Sequence, residues 1–574
     1  MTPTESPSRT VGRIALMILA AAVLFSIVVR WRLRDMPLER DEGGFAYIGQ
    51  LLLGGVPPYQ LAYDEKLPGI YLAYAGMMAV FGQTAVGIHL GLLVVNVATI
   101  VLIFFFARDL FDSLAGGIAA AAYSLLAVSP SVLGMTAHAT HFVAFFSVAA
   151  TWTLWHGLQR EKMPLLLVSG LLFGAAFLMK QHGVFLSGFG ALMVLIHYAG
   201  LRPFCGRKLL GGLFAFALGV ILPYAAVCRW LLWAGVFDRF WFWTVLYSRQ
   251  HVGLVSLPEG LQIFWAQATH VVSPTWPLWI AAFLGAILVG RGKDVRQARW
   301  FVYAYFVFSF LCVCPGLFFR IHYFIVLLPP VAMLGGVAGA RLLHFAAHWQ
   351  MGGQPDRRRQ PVAKAQGQRR NAGARAPVAA VSAPGILLWP AIVLLLAAGG
   401  IVVWQQREFS FVWTPTRVCR EVYGANPFVE SPVIAEYLNR HLQPDQQVAV
   451  LGSEPQLYFY TKRVAATKYI TVHSLMEPQP FASKMQEEMR QEIEEAKPEF
   501  LIFVGVDVSW MVRPDSDRFL LDWKNSYVRR FYHPVGLADI LWPKEEQTDY
   551  RWGDQALHAR PRAPCYVWIY QRNE

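Results

Sequence analysis

Charge is scarce in this chain, and cysteine, though present, has no pattern. Only 15% of the 574 residues are Asp, Glu, Lys or Arg, where a water-soluble domain carries about a quarter. A disordered chain is excluded as well, because 55% of residues are hydrophobic, including 39 Phe and 20 Trp. Six cysteines at 205, 228, 312, 314, 419 and 565 lie mostly in apolar runs. They lack the paired spacing of a zinc ribbon and the density of a disulfide scaffold. No nucleotide-binding glycine loop and no Ser-His-Asp order stands in the region after Trp404. No Ala-x-Ala-like cleavage site follows the first apolar run, so that run is expected to remain as an anchor.

What the chain does have is hydrophobic length, with a mean hydropathy of +0.39. Eleven stretches near the roughly 20 apolar residues that a spanning helix needs fall at 11–29, 84–107, 113–134, 138–157, 163–179, 183–200, 208–230, 274–290, 299–318, 322–343 and 386–404. A twelfth run, 68–82, is only 15 residues long and opens on Pro68; it either spans or lies along the interface. Basic residues decide the sidedness if 68–82 does not span. Alternate loops then hold Arg9 and Arg13; Arg108; Arg160 and Lys162; Arg202, Arg207 and Lys208; and Arg291, Lys293, Arg296 and Arg299, as cytoplasmic loops do.

The remaining basic cluster, Arg357, Arg358, Arg359, Lys364, Arg369, Arg370 and Arg375, sits in a Pro/Gly/Ala/Gln background with almost no acid. That composition reads as a disordered cytoplasmic linker that touches anionic head groups rather than nucleic acid. The expected organisation is a membrane module over 1–343 with a first outer loop at 30–83, a basic linker over 344–385, a last span at 386–404 and an extracytoplasmic domain over 405–574. The N-terminus is expected in the cytoplasm, the C-terminal domain in the periplasm or its equivalent, and the chain in the inner (plasma) membrane.

The unusual polar residues collect in the loops placed outside. Arg40-Asp41-Glu42 precedes apolar positions 45, 48, 51 and 52 at helical spacing, which predicts an interfacial amphipathic helix with two acids where the helix dipole favours them. Tyr63-Asp64-Glu65-Lys66-Leu67-Pro68-Gly69 is a charged turn directly before an apolar run. Charge next to hydrocarbon is costly, so the turn either holds a metal ion or a phosphate or forms an ordinary interfacial salt bridge. The Trp- and Phe-rich stretch 234–273 reads as an outer loop with an interfacial aromatic belt.

An Asp-Glu pair after the first helix, an amphipathic helix and then a Glu-Lys turn resemble the GT-C membrane glycosyltransferases. The likeness is to the protein O-mannosyltransferase and lipid A aminoarabinose transferase group, glycosyltransferase family 39-like. Here the motifs read ERDEGGFAYIGQ and DEKLPGIYL, with Leu67 where the family often has Pro, and FLMKQHGVF (177–185), FFRIHYFIVLLPPVAMLGG (318–336) and LGSEPQLYFYTKR (451–463) also look like segments of bacterial members. The resemblance implies a mostly α polytopic helical bundle of the GT-C fold, with about eleven spans, outer juxtamembrane helices and a small C-terminal α/β domain. It also implies inverting transfer of a sugar, on the outer face, from a polyprenyl-phosphate-linked donor to an acceptor lipid, glycan or protein.

An acceptor hydroxyl must lose a proton as it attacks, and the resemblance assigns that role to Asp41, with Glu42 as the neighbouring candidate. The leaving lipid phosphate needs cations; Lys66, Lys180 and Arg320 suit it, with His322 and Tyr323 beside them. Glu65 matches a residue that helps hold a divalent metal in some relatives. Where many relatives have an acid, this chain has His138 and His141, and a pair at i and i+3 on one helix face can bind a metal, shuttle a proton or simply end a helix. Tyr47, Gln181 and Glu454 are candidate contacts to acceptor or sugar. A divalent metal is the one cofactor contemplated, with no nucleotide, redox cofactor or nucleic acid.

After Trp404, Ser431-Pro432 predicts a helix start, Val448-Ala449-Val450-Leu451 and Phe500-Leu501-Ile502-Phe503-Val504 predict buried strands, and Met485, Met489 and Ile493 share one face of a predicted helix. A lipid-linked glycan ligase or polymerase is the nearest competing function. A transporter would call for inverted repeats, which the sequence lacks, and a non-catalytic accessory subunit would tolerate Asp41→Asn.

Overall fold

A computed structural model describes residues 7–289, 296–351 and 387–573. Within the bilayer a backbone must satisfy its own hydrogen bonds, and the apolar runs accordingly fold as helices. In chain order these are α1 (Pro7–Arg32), α2 (Arg40–Leu53), α3 (Gly69–Phe81), α4 (Ala85–Leu110), α5 (Ser113–Ala127), α6 (Ala139–Gln159), α7 (Met163–Met179), α8 (Val184–Gly200) and α9 (Gly206–Trp233). Two short helices follow, α10 (Phe237–Trp241) and α11 (Ser248–Val252), then α12 (Leu257–Val272), α13 (Trp276–Val289), α14 (Arg296–Leu311), α15 (Leu328–Met351) and α16 (Leu388–Gln405).

Each of the eleven predicted runs carries helix. Among the described residues, however, seven helical stretches are long and apolar enough to cross a membrane: Thr10–Arg32, Ala85–Leu110, Gln181–Gly200, Gly206–Trp233, Leu257–Val289, Ile321–Ala347 and Leu388–Gln405. Helices α3, α5 and α7 are apolar but shorter. The ambiguous run 68–82 is helix α3, whose 13 residues reach about 20 Å at 1.5 Å per residue, short of a hydrocarbon core of about 30 Å. Helix α5 stops at Ala127 rather than 134, because Pro130 cannot continue the hydrogen-bond ladder and Leu133 turns left-handed (φ 54°).

Two other expectations change. The stretch 234–273 is largely helical, and α12 runs on into α13 as one 33-residue length, Leu257–Val289. Helix α15 continues to Met351, into the predicted linker, and positions 352–385 of that linker lie outside the described residues, as do Arg291 and Lys293.

The bundle packs by bringing small residues face to face. Where α7 meets α9, a Cβ added at Gly170 would overlap the Phe216 carbonyl oxygen, and one at Gly219 the Leu167 carbonyl oxygen. Such contact gains dispersion where no hydrophobic effect acts between helices.

Helix α2 departs from the interfacial helix expected of it, since residues 42–49 are all buried. One side packs on α3, with Phe45 against Tyr71 and Tyr74. The other meets the C-terminal region, where a Cβ on Gly43 would lie 2.5 Å from the backbone nitrogen of Gln456.

That region continues with α17 (Pro415–Tyr423), α18 (Glu430–His441), β1 (Val448–Leu451), α19 (Gln456–Thr461), α20 (His473–Met476), α21 (Ala482–Ala496), β2 (Phe500–Gly505), β3 (Tyr532–Ile540), β4 (Thr548–Trp552) and β5 (Tyr566–Arg572). The sheet order is β1-β2-β5-β3-β4. Strands β1 and β2 are parallel, with Val450 beside Ile502, and the other pairings are antiparallel. A parallel pair needs a crossover, which α19–α21 supply; α21 buries Met485, Met489 and Ile493, the predicted face. The predicted cap Ser431 lies inside α18, its hydroxyl donating to the Pro427 carbonyl. All six cysteines are free.

Candidate active site

The site is built from the first turn of α2, where three neighbours of Asp41 are each fixed in a different direction. Glu39 caps the helix: its carboxylate accepts from the Glu42 backbone N–H at 2.9 Å, while Glu42 accepts from the Glu39 N–H at 3.4 Å. This reciprocal cap satisfies two of the donors that a helix start leaves free. Glu42, 0% exposed, also accepts from the Ala137 N–H at 2.5 Å and faces His89 Nε2 at 3.2 Å. Arg40 donates from Nε to the Ser453 carbonyl at 2.5 Å and from Nη2 to Glu454 Oε1 at 2.9 Å.

Among these acids Asp41 is the accessible one, its side chain 39% exposed against 8% for Glu39. His138 Nδ1 lies 3.6 Å from Asp41 and 3.9 Å from Glu39, and the His138 ring stacks on His322 at 4.1 Å. Burial opposes ionisation of Asp41, but His138 and the Lys66 ammonium outweigh it and hold the carboxyl well below the usual carboxylate range. Glu39 goes the other way: burial and the Asp41 charge push it up to about 7.

Cations border this acid. Lys66 pairs with Glu65, and the carboxylates of Glu65, Asp64 and Asp41 outweigh its burial and raise it above the usual lysine range. Asp64 is itself raised well above the usual range by burial and the Glu65 charge. Lys180 is buried with its Nζ 3.7 Å from the Tyr323 ring centroid, burial and the Lys66 charge hold its amine well below the usual lysine range, and Tyr323 also meets His182 and His322 edge-on. Arg320 is exposed next to this group.

Asp41, His138, His322, Lys66, Lys180, Tyr323 and Arg320, predicted from five separate stretches, therefore gather in one place. Other predicted residues do not join them. Glu42 is a buried support, with both carboxylate oxygens engaged, rather than a second base. His141 is buried beside Arg30 instead of sharing a face with His138; the i, i+3 argument fails because His138 is the non-helical residue before α6. Among the described residues the three-ligand group that could hold a metal is Asp41, His138 and His322, with ligand atoms within 4.8 Å of one another; Glu65 and His141 are not in it.

Tyr47 is 1% exposed and accepts from the Ala465 N–H at 2.9 Å. Glu454 is 0% exposed and also accepts from Ser509 at 2.6 Å. Both belong to the seam between α2 and the C-terminal domain rather than to a surface that meets acceptor or sugar. Gln181 donates to the Glu65 carbonyl at 2.6 Å, so it holds the Glu65-Lys66 turn. Glu39 was missed as a site residue, because the sequence signature of a capping box opens on Ser, Thr, Asp or Asn and a glutamate in that role shows only in the folded helix start.

Residues 65–233 match the family model described as dolichyl-phosphate-mannose-protein mannosyltransferase. An undecaprenyl phosphate-alpha-4-amino-4-deoxy-L-arabinose arabinosyl transferase of Pseudomonas aeruginosa is 30% identical over 291 residues, covering 44% of this chain and 51% of the relative. The chain thus spans about half the length of the curated relatives it matches. In fold, ArnT from Cupriavidus metallidurans, solved bound to undecaprenyl phosphate, superposes with a TM-score of 0.59 at 14% identity, covering 97% of both chains. The oligosaccharyltransferase of Archaeoglobus fulgidus in its apo form gives 0.54 at 13% identity, over 96% of this chain and 75% of that one. In fold over nearly its whole length, and in sequence over the matched parts, the chain is similar to the GT-C membrane glycosyltransferases of the aminoarabinose-transferase and protein-mannosyltransferase type.

Proposed function

We propose that the chain is an integral membrane glycosyltransferase that moves a sugar from a polyprenyl-phosphate-linked donor to an acceptor hydroxyl or similar group. The observation that carries this reading is one accessible carboxylate, Asp41, set beside Lys66, Lys180 and Arg320 on a bundle of apolar helices. That pairing matches what the reaction needs at its two ends. The acceptor oxygen attacks the anomeric carbon and inverts it, Asp41 takes the hydroxyl proton, and the bond to the phosphate oxygen breaks with its electrons staying on the leaving group. Asp41 is held ionised at neutral pH, which leaves it free to take a proton but makes it a weak base that works through position; positioned general bases contribute roughly 10²–10⁴ in rate. Lys66 and Arg320 stabilise the charge that develops on the departing polyprenyl phosphate, and Lys180 adds a hydrogen-bond donor beside them.

The alternation of basic loops supports an N-terminus in the cytoplasm and a site on the outer face. A divalent metal fits Asp41, His138 and His322: the His138 Nε2 atom is buried without a partner, and two imidazoles with a carboxylate form a ligand set of the open zinc type. Such an ion would supply Lewis-acid stabilisation of phosphate charge.

The test is sugar transfer by purified protein from a panel of synthetic polyprenyl-phosphate sugars, with Asp41→Asn and EDTA-treated protein alongside. Release of polyprenyl phosphate that falls at least about 10²-fold in Asp41→Asn is expected; undiminished release in that variant would remove Asp41 from the chemistry. The fold likeness to an oligosaccharyltransferase supports a second reading, a ligase taking a longer lipid-linked glycan, and adding oligosaccharide donors to the panel separates the two.

A further inference from the structure

Nothing in the chemistry above gives the C-terminal domain a part in the reaction, yet it is joined to the residue next to the proposed base. Arg40, immediately before Asp41, is buried to 16% side-chain exposure against Glu454, which is 0% exposed. Its guanidinium donates to Glu454 Oε1, to the Ser453 carbonyl and, at 3.2 Å, to Asn426 Oδ1. The far oxygen of Glu454 accepts from Ser509 Oγ, which also accepts from the Ser453 N–H at 2.8 Å. The connection therefore runs from α2 through the turn after β1 to the short helix Asp507–Trp510 that follows β2.

Around it the two parts approach closely. A Cβ added at Gly43 would overlap the Gln456 backbone, one at Gly44 would lie 3.5 Å from the Pro455 ring, and the Leu38 N–H donates to the Tyr460 hydroxyl at 2.9 Å. On its other side the Asp41 turn is held by Glu42 against Ala137 and His89. A planar guanidinium that donates from Nε to one backbone carbonyl and from Nη2 to a carboxylate is fixed in direction as well as distance, and the bond to the carboxylate is charge-assisted.

We infer that Arg40 and Glu454 are positioning residues: through them the C-terminal domain sets the orientation of the Asp41 carboxylate toward the anomeric carbon and acceptor. This rests on the glycosyl-transfer reading for its effect on rate, while the mechanical linkage can be tested without it. Misplacing a reacting group by about 1 Å costs on the order of 10²-fold in rate and leaves binding of a donor held through its phosphate unchanged.

The experiment compares the full-length purified protein with Arg40→Ala, Arg40→Lys, Glu454→Gln and the double variant Arg40→Ala/Glu454→Gln, with Arg440→Ala, in an exposed pair on α18, as control. Transfer kinetics are read together with hydrogen exchange of residues 40–53 and of β2. The expected result is a kcat loss of about 10²-fold with donor KM within about threefold, partial rescue by lysine, a double variant no worse than the worse single one, and faster exchange over 40–53 with β2 still protected.

Kinetics within about threefold of wild type in Glu454→Gln overturn the inference. So does loss of β2 protection together with activity, which marks a purely structural role. If Arg40→Ala fails to fold, Glu454→Gln, which keeps the side-chain volume, decides. If wild type turns over no donor, the glycosyl-transfer reading fails by itself, and exchange over 40–53 then decides: acceleration confined to that segment keeps the linkage, and none overturns it.

Discussion

Asp41 shows how far a residue can be assigned from its neighbours in the chain. Its place after the first helix and before a Glu-Lys turn was legible in the sequence, but its difference from Glu42 was not. Adjacent helical positions point about 100° apart, and only the packed structure shows that Glu42 is enclosed against Ala137 and His89 while Asp41 stays accessible. His322 was singled out in the sequence beside Arg320, but its stacking on His138, far away along the chain, was not legible there. If Asp41, His138 and His322 form a metal site, wild-type protein dialysed against zinc is expected to retain about one ion per chain, and His322→Ala to retain none by elemental analysis. Equal retention by both would dismiss the site.

Asp64 offers a second test at this scale. In the native state its carboxyl is raised well above the ordinary value, so between the unfolded pKa of about 3.9 and the raised one the native chain holds more protons. Stability then falls as pH rises through that window. Asn cannot ionise, so Asp64→Asn should gain in unfolding temperature relative to wild type on going from pH 5 to pH 8. A wild-type-to-variant gap that is the same at both pH values would contradict this.

Elements were readable where a single period governed them. Long apolar runs became helices, and the 3.6-residue spacing of Met485, Met489 and Ile493 became the buried face of α21. The same spacing at 45, 48, 51 and 52 predicted α2 but misplaced it, because periodicity marks a buried face without saying what buries it, and Gly43 and Gly44 let a second surface close on the other side. Strands β3, β4 and β5 escaped because their residues alternate weakly and include Pro534 and Gly536, a bulge in the ladder.

Close glycine contacts are a further case: no sequence rule separates Gly170 and Gly219, which touch backbone across α7 and α9, from Gly12, where an added Cβ meets nothing. Gly219→Leu should therefore cost about 1–3 kcal/mol through overpacking, read as a lower unfolding temperature in detergent. Gly12→Ala should be neutral or slightly stabilising. Equal effects of the two would argue against the α7–α9 contact.

At the scale of the whole molecule, the arrangement is a membrane bundle with an α/β domain seated on the helix start that carries Asp41. Sidedness can be measured directly. In a background without the six native cysteines, a membrane-impermeant thiol reagent applied to intact cells should label Arg440→Cys in the C-terminal domain and spare Arg202→Cys in a basic loop until the membrane is opened; the reverse pattern would invert the topology.

The sequence by itself determined the class of protein, since low charge and long apolar runs admit a membrane bundle and exclude the alternatives. It also determined which polar residues were worth watching, because charge beside hydrocarbon is expensive and seldom idle. Only the tertiary structure decided which of those residues meet. The site joins α2, the 64–66 turn, the residue before α6, the residue after α7 and the segment 320–323, and the domain that holds Arg40 arrives from more than 400 residues further along the chain. Such meetings are set by helix packing and by the fit of one surface on another, and neither is written in local periodicity.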